Sequence, residues 1–130
     1  MAMPQHIGIA GGTAEGAALC YRTICQEGPA LRETYAHPEV TLHTFPLADY
    51  MSAIESGDWA GVGALLLRSA RKLADAGAQF AICPDNTAHQ GLELIRRDSP
   101  IPWLHIAEEI AALAAERGYS KVGVLGTQWL

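Results

Sequence analysis

The sequence predicts an α/β fold: one domain built on a parallel sheet of about five strands with helices on both faces. Three observations predict it. Short apolar segments alternate with helix-length amphipathic ones along the whole chain. The strand candidates are apolar on both sides, as in sheets covered twice by helices. Gly or Pro stands at most of the junctions. The 130 residues suffice for one globular domain. With 49% apolar and 18% charged residues, the composition is that of a folding chain rather than a disordered one.

His6–Ala10 reads as a short buried strand ending in Gly11-Gly12. Thr13 to Glu27 reads as a helix, with Ala17, Leu19, Cys20, Ile24 and Cys25 on its apolar stripe, stopped by Gly28-Pro29. Val40–Phe45 alternates like a strand and ends at Pro46; Leu47–Glu55 is a short helix or loop. Asp58 suits the cap of a long helix to Ala76 closed by Gly77, with Val62, Leu65, Leu66, Ser69, Leu73 and Ala76 on one face. Phe80–Cys83 is the third strand, broken by Pro84, and a helix opens at Asp85-Asn86-Thr87 and runs to about Arg97. Ile101–His105 is the fourth strand, Ala107–Arg117 the next helix, and Lys121–Leu125 the fifth strand. Crossovers between parallel strands are right-handed, and ligands of such sheets bind beyond the carboxyl ends of the strands. That rule selects the turns at Gly11–Glu15, Phe45–Tyr50, Pro84–His89 and Gly126–Trp129.

Charge and cysteine usage exclude several functions. Nine Lys and Arg against fourteen Asp and Glu give a net charge of −5, and the basic residues are scattered, which argues against nucleic-acid binding. No apolar run approaches the ~20 residues of a membrane span, and Met1 to His6 shows no secretory pattern. Three cysteines, Cys20, Cys25 and Cys83, form no Cys-x-x-Cys pair. Neither a disulfide framework nor a metal site is expected, and a reducing, cytoplasmic compartment is.

Three of the selected turns share a chemistry. Gly11-Gly12-Thr13, Asn86-Thr87 and Gly126-Thr127 offer hydroxyls and backbone N–H groups where strands meet helices, a setting suited to carboxylates or phosphates. Ordinary capping is the competing explanation for each. The Gly pair has neither the dinucleotide spacing nor a Walker lysine. The segment Cys83-Pro84-Asp85-Asn86-Thr87-Ala88-His89 is the most concentrated, with a thiol, a carboxylate, an amide, a hydroxyl and an imidazole at one strand end.

In this segment, in HIGIAGGTAEGAALCYRTI, in HTFPLADY and in IPWLHIAEEIAALAAERGYSKVGVLGT, the sequence resembles the aspartate/glutamate racemase family (the Asp/Glu/hydantoin racemase superfamily) over nearly its whole length. The resemblance implies two similar α/β units facing across a cleft, with no pyridoxal phosphate or other cofactor and no metal. Two acid/base residues, usually cysteines, would stand on opposite sides of the substrate α-carbon. One removes the α-proton and the other returns a proton to the opposite face. By position, Asn86, Thr87 and Thr127 would hold the substrate carboxylate, and Thr13 would line the cleft beside Gly12. The substrate class implied is a small amino acid or dicarboxylate, and a homodimer is expected.

Two departures follow. Asp85 stands at the usual cysteine position, with Cys83 two residues earlier, and the second base is not found in this chain. Residues 1–105 are therefore expected to form the N-terminal unit and 106–130 to begin the second, truncated, half, so that the isolated chain does not racemise. A carboxylate (reference pKa about 3.9) is a weaker base than a thiolate (about 8.5); burial would strengthen it and a helix N-terminus would weaken it. Asp85 is the candidate proton-transfer residue, with binding of a substrate ammonium and simple capping as its alternatives. Cys83 is a buried strand residue or a displaced thiol base. His89 is a cleft residue or a structural one. His43 and His105 are read as structural, and Cys20 and Cys25 as core. Tyr21-Arg22 read as a solvated helix face, and Arg32 with Tyr35 as a loop that could meet a substrate. A decarboxylase or cis–trans isomerase on the same scaffold, or a module that binds an anionic metabolite without turning it over, are the alternative functions.

Overall fold

A computed structural model of the protein describes residues 4–31 and 33–129; Arg32 and Leu130 lie outside the described residues. Four strands form one parallel sheet: β1 (Ile7–Gly11), β2 (Val40–Thr44), β3 (Phe80–Ile82) and β4 (Trp103–Leu104), in the order β2-β1-β3-β4. Ile7 pairs with both Val40 and Phe80, so β1 is central and buried from Gly8 to Gly11. Helix α1 (Ala14–Glu27) connects β1 to β2. Helices α2 (Leu47–Glu55) and α3 (Trp59–Asp75) carry the chain back across β1 to β3, α4 (His89–Ile95) joins β3 to β4, and α5 (Ile106–Glu116) follows β4. The chain thus winds outward in opposite directions from β1, to β2 on one side and β3 on the other. The reversal between β1 and β3 opens a crevice at their carboxyl ends, the position where such sheets take ligands.

Local chemistry sets these boundaries. Thr13 caps α1, its hydroxyl accepting from Gly16 N at 3.2 Å, and Asp58 caps α3, its carboxylate accepting from Gly61 N at 2.8 Å. Gly77 closes the end of α3 with φ +96°, a backbone conformation that disfavours other residues. The apolar face of α3 supplies Val62, Leu66, Ala70 and Leu73 to a core that includes Ile9, Ala81, Leu92 and Trp103. Helices α3 and α4 touch through glycines: a Cβ on Gly63 would stand 2.7 Å from the Gly91 carbonyl oxygen, and one on Gly91 2.6 Å from the Gly63 nitrogen.

The end of the chain differs from expectation. Lys121–Leu125 forms no strand, so the sheet has four strands among the described residues. Its alternation of apolar residues satisfies the strand pattern, but no neighbouring strand accepts its hydrogen bonds, and Val122, Val124 and Leu125 are exposed. Helix α5 likewise buries no residue and exposes Ile110 and Leu113. Trp129 packs against the core, and its carbonyl accepts from Gln90 Nε2 at 2.7 Å. Helix α4 starts later than the sequence suggests, because residues 86–88 form a turn in which Asn86 O accepts from His89 N. No helix among the described residues is long and apolar enough to cross a membrane.

Candidate functional site

The crevice between β1 and β3 is built from two turns. Pro84 stops β3 from continuing, and Asp85 folds its carboxylate back over the following turn, Oδ1 accepting from Ala88 N at 3.2 Å. The other oxygen lies over the β1 turn: a Cβ on Gly12 would stand 2.9 Å from Asp85 Oδ2. No protein donor reaches Oδ2 among the described residues. Glycine at position 12 is therefore what lets the carboxylate sit across the switch point. The first turn of α1 approaches the same place, since a Cβ on Gly16 would lie 3.0 Å from the Pro84 carbonyl oxygen. Asp85 is half-buried, with one oxygen anchored and the other free.

The other expected residues fall into separate settings. Thr87 is buried and its hydroxyl lies 3.4 Å from that of Thr127, so the Asn-Thr and Gly-Thr turns meet although forty positions separate them. Thr13 Oγ is engaged in the α1 cap. Asn86 is exposed and faces the other way, into an open groove of about 630 Å³ that it lines with His89, Glu93, His105, Ile110 and Val124. Asp85, Gly12, Thr13 and Thr127 do not line that groove. The groove is mainly apolar and separate from the crevice at the strand ends.

Cys83 is turned into the core rather than toward the crevice. It is 4% exposed, and burial together with the neighbouring Asp85 charge pushes its thiol up to about 12, so it is protonated at neutral pH. Its Sγ lies 3.9 Å from the Asp85 carbonyl. His89 is also buried and uses both ring nitrogens on the backbone: Nδ1–H donates to Asp85 O at 2.7 Å, and Nε2 accepts from Ile106 N at 3.3 Å. It ties the Asp85 turn to the start of α5. Burial lowers its pKa and favours the neutral ring that this arrangement needs. His105 caps α5 by accepting from Ala107 N at 3.2 Å, and its ring packs edge-on against His89 at 4.4 Å. Arg96 joins α4 to α5 through paired bonds of 2.5 and 2.7 Å to Glu108.

Sequence reasoning gave no role to two groups beneath the site. The Tyr50 hydroxyl is buried with no hydrogen-bond partner among the described residues, and burial, followed by the Cys83 group, raises its pKa to about 12. Ser69, fully buried on α3, lies 2.9 Å through Oγ from His43 Nδ1. The available signal was a single hydroxyl on the otherwise apolar face of α3. Cys20 and Cys25 are half-buried, and Tyr21 and Arg22 lie on an exposed face. Tyr35 is exposed at φ +67°.

A parallel sheet that winds both ways from β1, with a carboxylate at its switch point, places the chain in the class of doubly wound α/β proteins. Comparison with known proteins narrows the class: the chain belongs to the Asp/Glu/hydantoin racemase family, whose profile matches residues 12–129. A Yersinia pestis protein whose crystal structure carries a provisional Asp/Glu racemase assignment superposes with a TM-score of 0.88 at 28% identity, over 96% of this chain and 55% of its own. PH1733, an aspartate racemase homologue from Pyrococcus horikoshii OT3, superposes with a TM-score of 0.75 at 27% identity, over 88% of this chain and 50% of its own. The chain therefore spans about half the length of these two solved structures.

Proposed function

We propose that this chain forms one side of a cofactor-independent racemase or epimerase site that acts by α-proton transfer on aspartate, glutamate or a related small carboxylate. The observation that carries the reading is the free Asp85 oxygen held over Gly12 at the β1/β3 switch point. In this reading Oδ2 takes the α-proton, while Thr13 and the Thr87–Thr127 pair position the substrate carboxylate; Asn86, which lines the separate groove, is left out of that role. Orientation of this kind can supply roughly 7–11 kcal/mol in ideal cases. The protonating group on the opposite face belongs to a facing unit, which residues 106–130 begin. The exposed apolar residues of α5 and of 122–125 support that division. The working form is a cytoplasmic homodimer.

The test is α-proton exchange. One base suffices to exchange an α-proton with solvent on one face, whereas inversion needs two. Aspartate and glutamate are incubated with the chain in deuterated water and followed by proton NMR. The wild type is expected to wash out the α-proton, and Asp85→Asn to lose that activity by at least about 100-fold. Equal exchange by both would remove Asp85 from the role. Calorimetric binding without exchange would favour a non-catalytic module, and release of carbon dioxide a decarboxylase.

A further inference from the structure

His89 is buried, and both of its ring nitrogens are committed to backbone: Nδ1 to Asp85 O at 2.7 Å and Nε2 to Ile106 N at 3.3 Å. These partners leave one protonation pattern. Ile106 N–H is a donor, so Nε2 is the acceptor, and Nδ1 carries the proton that the Asp85 carbonyl receives. A ring turned over about Cβ–Cγ would offer carbon atoms to both partners. The ring face is set by His105, which packs edge-on against it at 4.4 Å. His105 is itself held between Ala107 N at 3.2 Å and Glu93 Oε1 at 3.3 Å.

The 2.7 Å bond therefore acts on Asp85 itself. That residue is held at two points, its carbonyl by the His89 ring and Oδ1 by Ala88 N at 3.2 Å. A rotation of the peptide unit that carries this carbonyl would swing the Asp85 Cα–Cβ bond, and Oδ2 with it. With both points held, Oδ2 stays over Gly12, where a Cβ would meet it at 2.9 Å. We propose that His89 is the positioning residue of this site: its Nδ1–H fixes the Asp85 carbonyl, and through it the free carboxylate oxygen, while Nε2 takes the bearing of the ring from the first residue of α5.

The proposal rests on the reading of Asp85 as the proton-transfer residue, and it gives the α5 contact a purpose. In that reading residues 106–130 begin the facing unit. One ring thus gives the proton-transfer group of the first unit a reference point in the second. His89 touches no substrate and passes no proton. Its contribution is the placement of Oδ2, where a misplacement of about 1 Å can cost about 100-fold.

Asparagine and glutamine divide the two bonds. The amide nitrogen of asparagine stands in for Nδ1, and the amide group of glutamine for Nε2. His89→Asn therefore keeps a donor for Asp85 O and loses the Ile106 bond, whereas His89→Gln keeps an acceptor for Ile106 N and loses the Asp85 bond. Both remove the same ring, so a merely structural residue would make the two variants equal. In the α-proton exchange assay His89→Gln is expected to lower kcat about ten-fold at unchanged KM, and His89→Asn to stay within about three-fold of wild type. Urea unfolding of the same preparations is expected to give the two variants one midpoint. Equal losses of kcat would overturn the role. Amide hydrogen exchange supplies a readout that needs no turnover. Ala88 N–H donates to Asp85 Oδ1, so its protection reports how firmly the carboxylate is held. It should exchange about ten-fold faster in His89→Gln and near the wild-type rate in His89→Asn; equal changes would again overturn the role. Should neither variant fold, NMR of the ring nitrogens in the wild type decides: a neutral ring protonated at Nδ1 is expected, and one protonated at Nε2 would overturn the proposal. Full exchange in Asp85→Asn would sink the function proposed above, while the Ala88 amide still decides what His89 holds. Loss of exchange in Asp85→Asn with His89 variants that match each other would sink this proposal alone.

Discussion

Replacing Gly12 by alanine tests the geometry of the site without removing a single functional group. The added Cβ would lie 2.9 Å from Asp85 Oδ2, and the next atoms it meets are Asp85 Cγ at 3.6 Å and Cβ at 3.8 Å. Only Asp85 is in its way. Ordinary contact begins at 3.4 Å, so the carboxylate oxygen must retreat by 0.5 Å, the difference between 3.4 and 2.9 Å. Oδ1 is tethered to Ala88 N at 3.2 Å, so the carboxylate pivots rather than translating freely. A misplacement of about 1 Å can cost about 100-fold, so half of that corresponds to about ten-fold in α-proton exchange. Gly12 does not occupy the left-handed region, so alanine is compatible with its backbone. Stability should therefore change by less than about 1 kcal/mol, the entropic gain of Gly→Ala offsetting part of the contact. Urea unfolding and the exchange assay, run on the same preparation, measure both quantities. Wild-type exchange in Gly12→Ala would refute the argument that Asp85 acts from this position. A loss of several kcal/mol would refute the local packing.

Further expectations concern packing, the buried thiol and acid stability. Gly91→Ala drives a methyl group into the Gly63 nitrogen at 2.6 Å, where backbone cannot yield cheaply, and should cost about 1–3 kcal/mol by urea unfolding. Under native conditions a thiol reagent should modify the half-buried Cys20 and Cys25, and Cys83 only after denaturation. Rapid native labelling of all three would contradict the burial of Cys83. His89 has a folded pKa below its ordinary 6.5, mainly because it is buried, so the unfolded chain binds more protons than the folded one as pH falls through that range. Its stabilising contribution is complete above 6.5 and declines below it. In His89→Gln the fall in stability on acidification should be shallower, leaving the part due to His43, whose pKa is lowered in the same direction. An unchanged slope would mean that His89 is not the titrating group.

The architecture was legible because it depends on local patterns. Asp58, Gly77 and Pro84 punctuate the sequence for reasons that hold wherever they occur, and the structure places a cap, a left-handed closure and a strand end there. The fifth strand was not, because alternation at Lys121–Leu125 describes a side-chain pattern and says nothing about whether a neighbouring strand is present. Thr87 and Thr127 were both selected from their turns, but their approach to 3.4 Å is a tertiary fact. The roles of Gly12 and Gly16 as places of close approach to the Pro84-Asp85 turn needed coordinates as well. Histidines were the least legible residues. His89 and His105 differ in sequence by nothing that announces a backbone tie for one and a helix cap for the other. Ser69 was legible as part of the α3 face and Tyr50 as the end of a selected turn, but the His43 partner of the one and the unpartnered hydroxyl of the other are tertiary facts.

The central claim is that the side chain at position 85 carries the proton. It is tested most directly by comparing Asp85→Cys with Asp85→Asn in the α-proton exchange assay across pH. A thiol at this place can ionise and an amide cannot. Asp85→Cys should retain exchange, with a rate that climbs as the thiolate forms toward its reference pKa of about 8.5, while Asp85→Asn stays at background throughout. Identical pH–rate curves for the two variants would contradict the account.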